Sequence, residues 1–409
     1  MRAHRYRLPL AIAVAVVAAA AATLVLRPRS GLIDPAPVAA TDYFSARELD
    51  RAEDYRGPQR LLGIGGLAVS GAALAIVALR PPRPVRRALE RAARRPVLGA
   101  AAAGASLALG LVVVTLPLAA VAHERAVDVG LSTQSWGAWL GDVGKAAGVE
   151  AVLAAGGAAI VMVLIRRFPR RWWVPASGAV VALSAVFLFL SPILIEPLFN
   201  RFERLPKGPL RSEVLDLAER SDVDVGEVYR VDASRRTTGA NAYVGGLGST
   251  KRVVLYDNLI EDFPPEQVRS VVAHELAHVE HRDLLRGLLF IAILAPAGMY
   301  LVQRASERIA GERPLRTPAD LPKLALVLAV VSFLGGIAGN VLSRPVEARA
   351  DAYALDLTKD PAAFVGLERR LALRNVSDPD PPRLLHLLFG THPTTVDRIG
   401  YGLAWAERR

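Results

Sequence analysis

Cysteine is absent from all 409 residues of this chain, which excludes disulfides and thiolate metal ligands and leaves the compartment open. Histidine is scarce at seven, methionine at three, and aromatic residues make up only 6 %. No internal repeat or low-complexity domain stands out, and the alanine-rich runs are filler of apolar segments. A repeat array, a disulfide scaffold and a cysteine-ligated zinc module are therefore excluded. The few histidines are also unevenly spread, since His274, His278 and His281 fall within eight residues.

What the chain has in abundance is apolar length. Hydrophobic residues make up 52 % and mean hydropathy is +0.30. Seven largely uncharged stretches, 8–26, 61–79, 96–122, 147–165, 174–195, 287–302 and 324–342, approach or exceed the ~20 residues that a helical crossing needs. The fourth and sixth are the weakest, because Glu150 intrudes on one and the other is short; a buried or interfacial helix is the alternative for each. The first follows Met1-Arg2-Ala3-His4-Arg5-Tyr6-Arg7 and reads as a retained anchor rather than a cleaved signal, its apolar core exceeding the usual ~7–15 residues.

A net charge of +11 raises nucleic acid as a partner, but the placement of the charge points to lipid headgroups instead. Arg80, Arg83, Arg86, Arg87, Arg91, Arg94 and Arg95 crowd one short loop between spans, and Arg166, Arg167, Arg170 and Arg171 another, which is how cytoplasmic loops are marked. With seven spans, these loops put the amino terminus inside the cytoplasm and the later polar regions outside it.

Inside this apolar chain stands His274-Glu275-Leu276-Ala277-His278, a HExxH box. Histidines four apart project from one helical face, so both imidazoles reach one tetrahedral zinc at about 2.0–2.1 Å, with Glu275 one step round the helix to act on water there. A third protein ligand is required. The metzincin continuation, a glycine and a third histidine at fixed spacing, fails against Val279-Glu280-His281-Arg282-Asp283, and His281 is too near in sequence. The other solution is a glutamate on a separate helix. Ser343-Arg344-Pro345-Val346-Glu347-Ala348-Arg349-Ala350-Asp351 supplies Glu347 about 70 residues downstream. Asp351, four residues later on the same face, is set to accept the second N–H of a liganding histidine and fix its tautomer. An ordinary charged helix in solvent is the alternative reading of this segment.

The organisation that follows is mainly α and integral to a membrane, with about seven transmembrane helices and a small α+β zincin-like domain. Residues 1–198 hold five spans, with the polar loop 27–60 helical from about Ser45 to Tyr55. Residues 199–283 form a soluble catalytic region: a helix near 211–220, short strands around 227–232, 241–247 and 252–256, and a long helix from Pro265 through the box, capped near Asp262 or Phe263. Residues 284–342 add two spans, and 343–409 form a carboxy-terminal catalytic region carrying Glu347 and a helical tail.

Several of these segments together resemble the type I CAAX prenyl protease family and its relatives, the heat-shock membrane metalloproteases. They are the HELAH box, NVLSRPVEARADAYAL from Asn340 to Leu355, and Thr391-His392-Pro393 followed by Asp397-Arg398-Ile399. The run Ala240-Asn241-Ala242-Tyr243-Val244-Gly245-Gly246-Leu247-Gly248, followed by Lys251 to Asp257, is similar to that family's strand pair, and Pro192 to Asn200 to its membrane exit. A weaker likeness extends upstream through Asp42-Tyr43-Phe44-Ser45 and Arg51-Ala52-Glu53-Asp54-Tyr55. The resemblance implies a zinc metalloendopeptidase in which His274, His278 and Glu347 bind one Zn2+ per chain and Glu275 is the catalytic base.

Other roles are open at this point. His392 and Arg344 are the candidates to donate to an oxyanion, His392 by its place in a shared motif; for Arg344 an ion pair with Asp351 or a neighbouring carboxylate is the stronger expectation. The glycine-rich strand 241–247 offers an edge to an extended peptide, with Asn241 able to bond substrate main chain, or it is a plain hairpin turning at Gly245 and Gly246. His281 and Asp283 read as groups behind the ligands or at the surface. The expected partners are a peptide or protein substrate, lipidated or membrane-inserted, and the bilayer, with no nucleic acid; the expected home is the cell membrane, crossed several times. Cleavage of prenylated CAAX tails and quality control of membrane proteins both fit, ahead of an inactive scaffold or a transporter. The resemblance also implies a cytoplasmic site, against the loop charges; one miscounted span would reconcile them.

Overall fold

The computed structural model describes residues 6–246 and 251–408. Seven helices among these residues are long and apolar enough to cross a membrane. They are α1 (Arg7–Leu26), α3 (Ala46–Leu79), α5 (Pro96–Asp128), α6 (Trp136–Arg167), α7 (Trp173–Leu194), α11 (Asp283–Ile309) and α12 (Leu321–Thr358). The short α2 (Ala40–Tyr43) precedes α3, and α4 (Arg83–Ala92) bridges α3 to α5. Leu61, Val113 and Val152 are 71 %, 67 % and 71 % exposed, so the outward faces of the bundle are apolar and suited to lipid rather than water. The doubtful runs 147–165 and 287–302 lie in helices of 32 and 27 residues.

Four of these helices, α3, α5, α6 and α12, are much longer than a crossing. At 34 residues α3 extends ~51 Å and at 38 residues α12 extends ~57 Å, against a hydrocarbon core of about 30 Å. Ser45 starts α3: its hydroxyl accepts from the Glu48 N–H, while the Glu48 carboxylate accepts the Ser45 N–H at 2.8 Å, a capping box. The helix then runs through Pro58 into the span. A separate helix ending near Tyr55 is thus corrected. The reason is tertiary: Arg56 donates to the Val376 carbonyl at 2.7 Å and Arg60 pairs with Asp378, holding the polar end of α3 against the carboxy-terminal region.

That region and the sheet occupy one end of the bundle. The sheet has strands β1 (Phe202–Arg204), β2 (Glu227–Val231), β3 (Ala242–Gly245) and β4 (Arg252–Tyr256) in the order β1-β2-β4-β3. β2 and β4 run parallel, and β3 pairs antiparallel with β4 in the register Ala242 to Leu255 and Val244 to Val253. Central β4 carries Val253, Val254 and Leu255 with no exposed surface, as a strand covered on both faces requires. β1 was not anticipated, being only three residues long, and the expected strand 241–247 is shorter, with Leu247 outside the described residues.

The remaining helices cover this sheet and complete the domain. They are α8 (Pro209–Arg220), α9 (Asp257–Asp262), α10 (Pro265–Glu280), α13 (Pro361–Arg374), α14 (Arg383–Phe389) and α15 (Thr395–Glu407). Pro264 is the cap of α10, next to the expected Asp262 and Phe263, and Pro265 stands in the first turn as expected. Val268, Val272 and Leu276 recur every four residues along α10 and are buried with Val214 and Leu217 of α8 and Val228, Val253 and Leu255 of the sheet. This apolar stripe fixes the rotation of α10 about its axis, and α10 packs its other side against α12.

Within the membrane, α5 and α6 approach closely at Gly104, where an added Cβ would stand 2.5 Å from the Ala154 carbonyl oxygen and 2.8 Å from the Ala158 methyl. Small residues let helix backbones meet in lipid. Gly104→Leu is expected to destabilise detergent-solubilised protein by about 1–3 kcal/mol in thermal unfolding. Gly110→Leu on the same helix, where an added Cβ meets nothing within 4 Å, should leave the transition unchanged.

Candidate metal centre

α10 and α12 cross so that three donor atoms converge. His274 Nε2 and His278 Nε2 are 3.3 Å apart, and Glu347 Oε2 lies 3.2 Å from the first and 3.5 Å from the second. A tetrahedral ion with bonds of about 2.0–2.1 Å separates its ligands by roughly 3.3–3.4 Å. The donor set therefore fits a zinc-sized cation in both chemistry and spacing.

Each imidazole is held from behind by a carboxylate. His274 Nδ1 lies 2.8 Å from Asp351 Oδ1, and His278 Nδ1 lies 3.0 Å from Asp283 Oδ2. With Nδ1–H donating to the carboxylate, the lone pair of each ring is left on Nε2, facing the point of convergence. Each carboxylate in turn has its own arginine. Arg398 of α15 grips Asp351 with two bonds, of 2.9 and 2.6 Å, and reaches Glu368 of α13 at 2.8 Å. Arg349 donates to Asp283 at 2.8 Å, and Arg286 also pairs with it.

The electrostatics favour positive charge here. Burial opposes a proton on His274, but its hydrogen bonds to Asp351 and Glu347 outweigh that and push its pKa up to about 10. The same contest, with Asp283 and Glu347 as the partners, pushes His278 up to about 9. Burial raises the Glu275 carboxyl against the pull of the neighbouring histidines. Glu368 shares one guanidinium with Asp351, its Oε1 has no partner among the described residues, and burial pushes it up to about 7.

Glu275, His278 and Glu347 open onto a cavity of about 680 Å³ whose walls include Tyr243 and Val244 of β3 and, towards the membrane, Phe290. The remaining expected residues distribute as follows. His392 reaches the same point, its Nε2 3.2 Å from Glu347 Oε2 with the side chain half exposed. Arg344 does not pair with Asp351. It lies two helical turns, roughly 10 Å, away along α12, and donates to the carbonyls of Gly390 at 2.8 Å and His386 at 3.3 Å, tethering the loop that carries His392. Asn241 precedes β3, exposed, and its Oδ1 accepts the Ala242 N–H at 2.9 Å. Asp283 proves to be part of the constellation rather than of the surface. His281 turns instead to the Tyr353 ring, with centroids 5.5 Å apart. Two further residues were not anticipated in these roles: Arg398, whose only sequence signal was the Asp397-Arg398-Ile399 motif, and Glu368, which had none.

The chain is similar to several known proteins. Residues 204–401 match the model of peptidase family M48, and residues 36–201 match one described as the CAAX prenyl protease N-terminal, five membrane helices. An uncharacterized metalloprotease of Bacillus subtilis, YhfN, is 30 % identical over 303 residues, covering 72 % of this chain and 70 % of that one. A CAAX prenyl protease 1 homolog of Arabidopsis thaliana is 34 % identical over 227 residues, 53 % of this chain and 52 % of the relative, so the chain spans about half the length of that plant protein. The crystal structure of S. mikatae Ste24p shares the fold, with a TM-score of 0.76 at 18 % identity over 97 % of this chain and 98 % of that one.

The carboxylates behind the histidines carry a direct expectation. Asp351→Asn and Asp283→Asn should each weaken metal binding by about 10–100-fold in competition with a chelating dye; unchanged affinity in both would remove them from the site. Glu368 carries a second. A carboxyl whose folded pKa lies above its usual value of 4.5 holds its proton more tightly when folded, so its contribution to stability falls as pH rises from there towards 7. Across that window wild type should lose stability relative to Glu368→Gln, and the difference should level off above it, as read by thermal unfolding.

Proposed function

The chain belongs to peptidase family M48 and is a membrane metallopeptidase, and from that premise we propose that it is a zinc-dependent endopeptidase of the cell membrane acting on peptides with an apolar or lipidated flank. The observation that carries the zinc reading is the convergence of His274, His278 and Glu347 at mutual separations of 3.2–3.5 Å, each imidazole held by its own carboxylate. Bound there, zinc supplies a Lewis acid that acidifies water and polarises the scissile carbonyl.

The chain's own residues do the rest. Glu275, one position along α10 and open to the cavity, takes the proton of the attacking water and delivers it to the leaving amide nitrogen. The negative charge that develops on the carbonyl oxygen needs a donor, and His392, with its Nε2 3.2 Å from Glu347 Oε2, is placed to serve as one. Arg344 acts through backbone, fixing the turn that presents His392. β3 is an edge strand of the sheet and its Tyr243 and Val244 line the cavity; both facts support an extended substrate added as a further strand. Asn241, at the start of that edge, is in line to bond substrate main chain. The apolar wall formed by residues such as Phe189, Leu285, Phe290 and Leu342 supports a substrate whose scissile bond is followed or preceded by apolar groups.

Glu275→Gln should retain one metal per chain and lose about 10²–10⁴-fold in turnover; activity equal to wild type would sink the mechanism. His392→Ala should lower kcat by roughly 10²–10³ with little change in KM. A farnesylated peptide, its unprenylated twin and a twin with large apolar side chains beside the scissile bond separate the substrate classes: the first and third should be cut faster than the second. Equal turnover of all three would refute the requirement for an apolar flank.

A further inference from the structure

We propose that the end of the bundle remote from the metal centre binds the headgroup of an anionic phospholipid of the phosphatidylglycerol type, in a cavity between α1, α7 and α11. The inference is independent of the peptidase reading. The cavity has a volume of about 1090 Å³ and is formed by the start of α1, the connection between α6 and α7, and the last turns of α11 with the residues that follow it. Asp283 begins α11 beside the metal ligands, and Gln303 stands near the other end of that helix, a rise of about 30 Å away.

Aromatic side chains mark the depth of this cavity. Trp173, the first residue of α7, and Tyr300, one turn before Gln303 on α11, meet edge to face with ring centroids 5.3 Å apart. Trp and Tyr collect where a span reaches the headgroups, and the apolar run of α11 gives way there to Gln303 and Arg304. The charged lining is unevenly balanced: its arginines are Arg7, Arg170, Arg304 and Arg308, and its acids are Glu307 and Glu312. Each acid is met by an arginine near it in sequence, Glu307 by Arg304 at 2.9 Å and Glu312 by Arg308. Arginines therefore outnumber carboxylates, and the Arg170 guanidinium has no ion pair among the described residues.

The floor of the cavity adds a second requirement. Arg7, Arg170, Arg308 and Glu312 are exposed at the rim, whereas Gln303 has no exposed surface. Its Nε2 donates to the Arg170 carbonyl at 3.2 Å and to Glu307 Oε1 at 2.8 Å. Two acceptors use both hydrogens of the amide and so settle which of its atoms is oxygen. That Oε1 is left without a donor, and Arg304 Nε without an acceptor, among the described residues; buried polar atoms in native structures rarely stay unmatched. A ligand that answers these features brings an anionic group to Arg170 and Arg304 and a hydroxyl to Gln303 Oε1. A phosphodiester carrying glycerol has both. A choline or ethanolamine headgroup is neutral overall, and leaves the excess positive charge of the cavity uncompensated.

The test uses the full-length protein in detergent micelles titrated with dioleoyl phosphatidylglycerol, phosphatidylethanolamine or phosphatidylcholine, with retained lipid read by native mass spectrometry. Wild type should retain phosphatidylglycerol in preference to the other two. Arg170→Ala and Gln303→Met should each weaken that retention by about tenfold, the effect of losing a hydrogen bond to a charged group. Arg94→Ala removes an exposed arginine outside the cavity and should leave retention unchanged. Should the buried Gln303→Met variant fail to fold, the exposed Arg170→Ala decides alone. Equal losses in Arg94→Ala and Arg170→Ala overturn the site in favour of general attraction to a basic surface, and equal retention of the three lipids overturns it as well. Soluble glycerol 3-phosphate is the other source of the same chemistry. Its failure to displace the lipid is the expected result; binding of glycerol 3-phosphate by wild type that retains no phosphatidylglycerol overturns the assignment to lipid.

Discussion

Two carboxylates one turn apart on α12 meet a single imidazole: Glu347 approaches His274 at Nε2 and Asp351 at Nδ1, 3.2 and 2.8 Å away. The contact joins α10, which the sheet core orients, to α12, which the membrane orients. Its geometry forces much else. Asp351 has no exposed surface, and a buried carboxylate is costly unless it is paired and hydrogen-bonded. Arg398 meets that need from α15, and in doing so draws the carboxy-terminal helices over the crossing. Those same helices bring the His392 loop to the site. A second carboxylate, Glu368, then faces the same guanidinium and is held as the more easily protonated of the two acids that share it.

The site is therefore built as two parallel chains of charge. One runs from His274 through Asp351 to Arg398 and Glu368; the other runs from His278 through Asp283 to Arg349 and Arg286. Alternation of sign along each chain keeps every buried ion beside an opposite one. The first chain ends deep in the domain and the second ends beside the membrane, so a disturbance on either side of the domain reaches a different histidine.

Much of this could be read from sequence because it is local. Histidines four apart, and Glu347 and Asp351 four apart, share a helical face by periodicity alone, and apolar runs near 20 residues announce their own crossing. What could not be read depends on which helix meets which. Arg398 lies 47 residues beyond Asp351, and no spacing rule connects them; Arg344, nearer in sequence, pointed to the wrong partner because it lies two turns away on the same rod. Glu368 has no local pattern at all. The run of α3 through Gly57 and Pro58 defied its breaker residues because Arg56 and Arg60 anchor both sides of that point to the carboxy-terminal region. For Asp283 both a place behind the ligands and a place at the surface were open in the sequence, and the first holds, since it supports His278.

The continuity of α12 has one more consequence. Charged residues begin on its emerging segment at Arg344, and Glu347 follows less than one turn later, a rise of about 5 Å. Span and ligand belong to a single continuous helix, which runs on through Pro345, so the helix acts as a ruler. The height of the reacting point above the lipid is set by a count of residues rather than by a flexible linker. On the peptidase reading proposed above, a substrate meets the site at a height fixed by the helix.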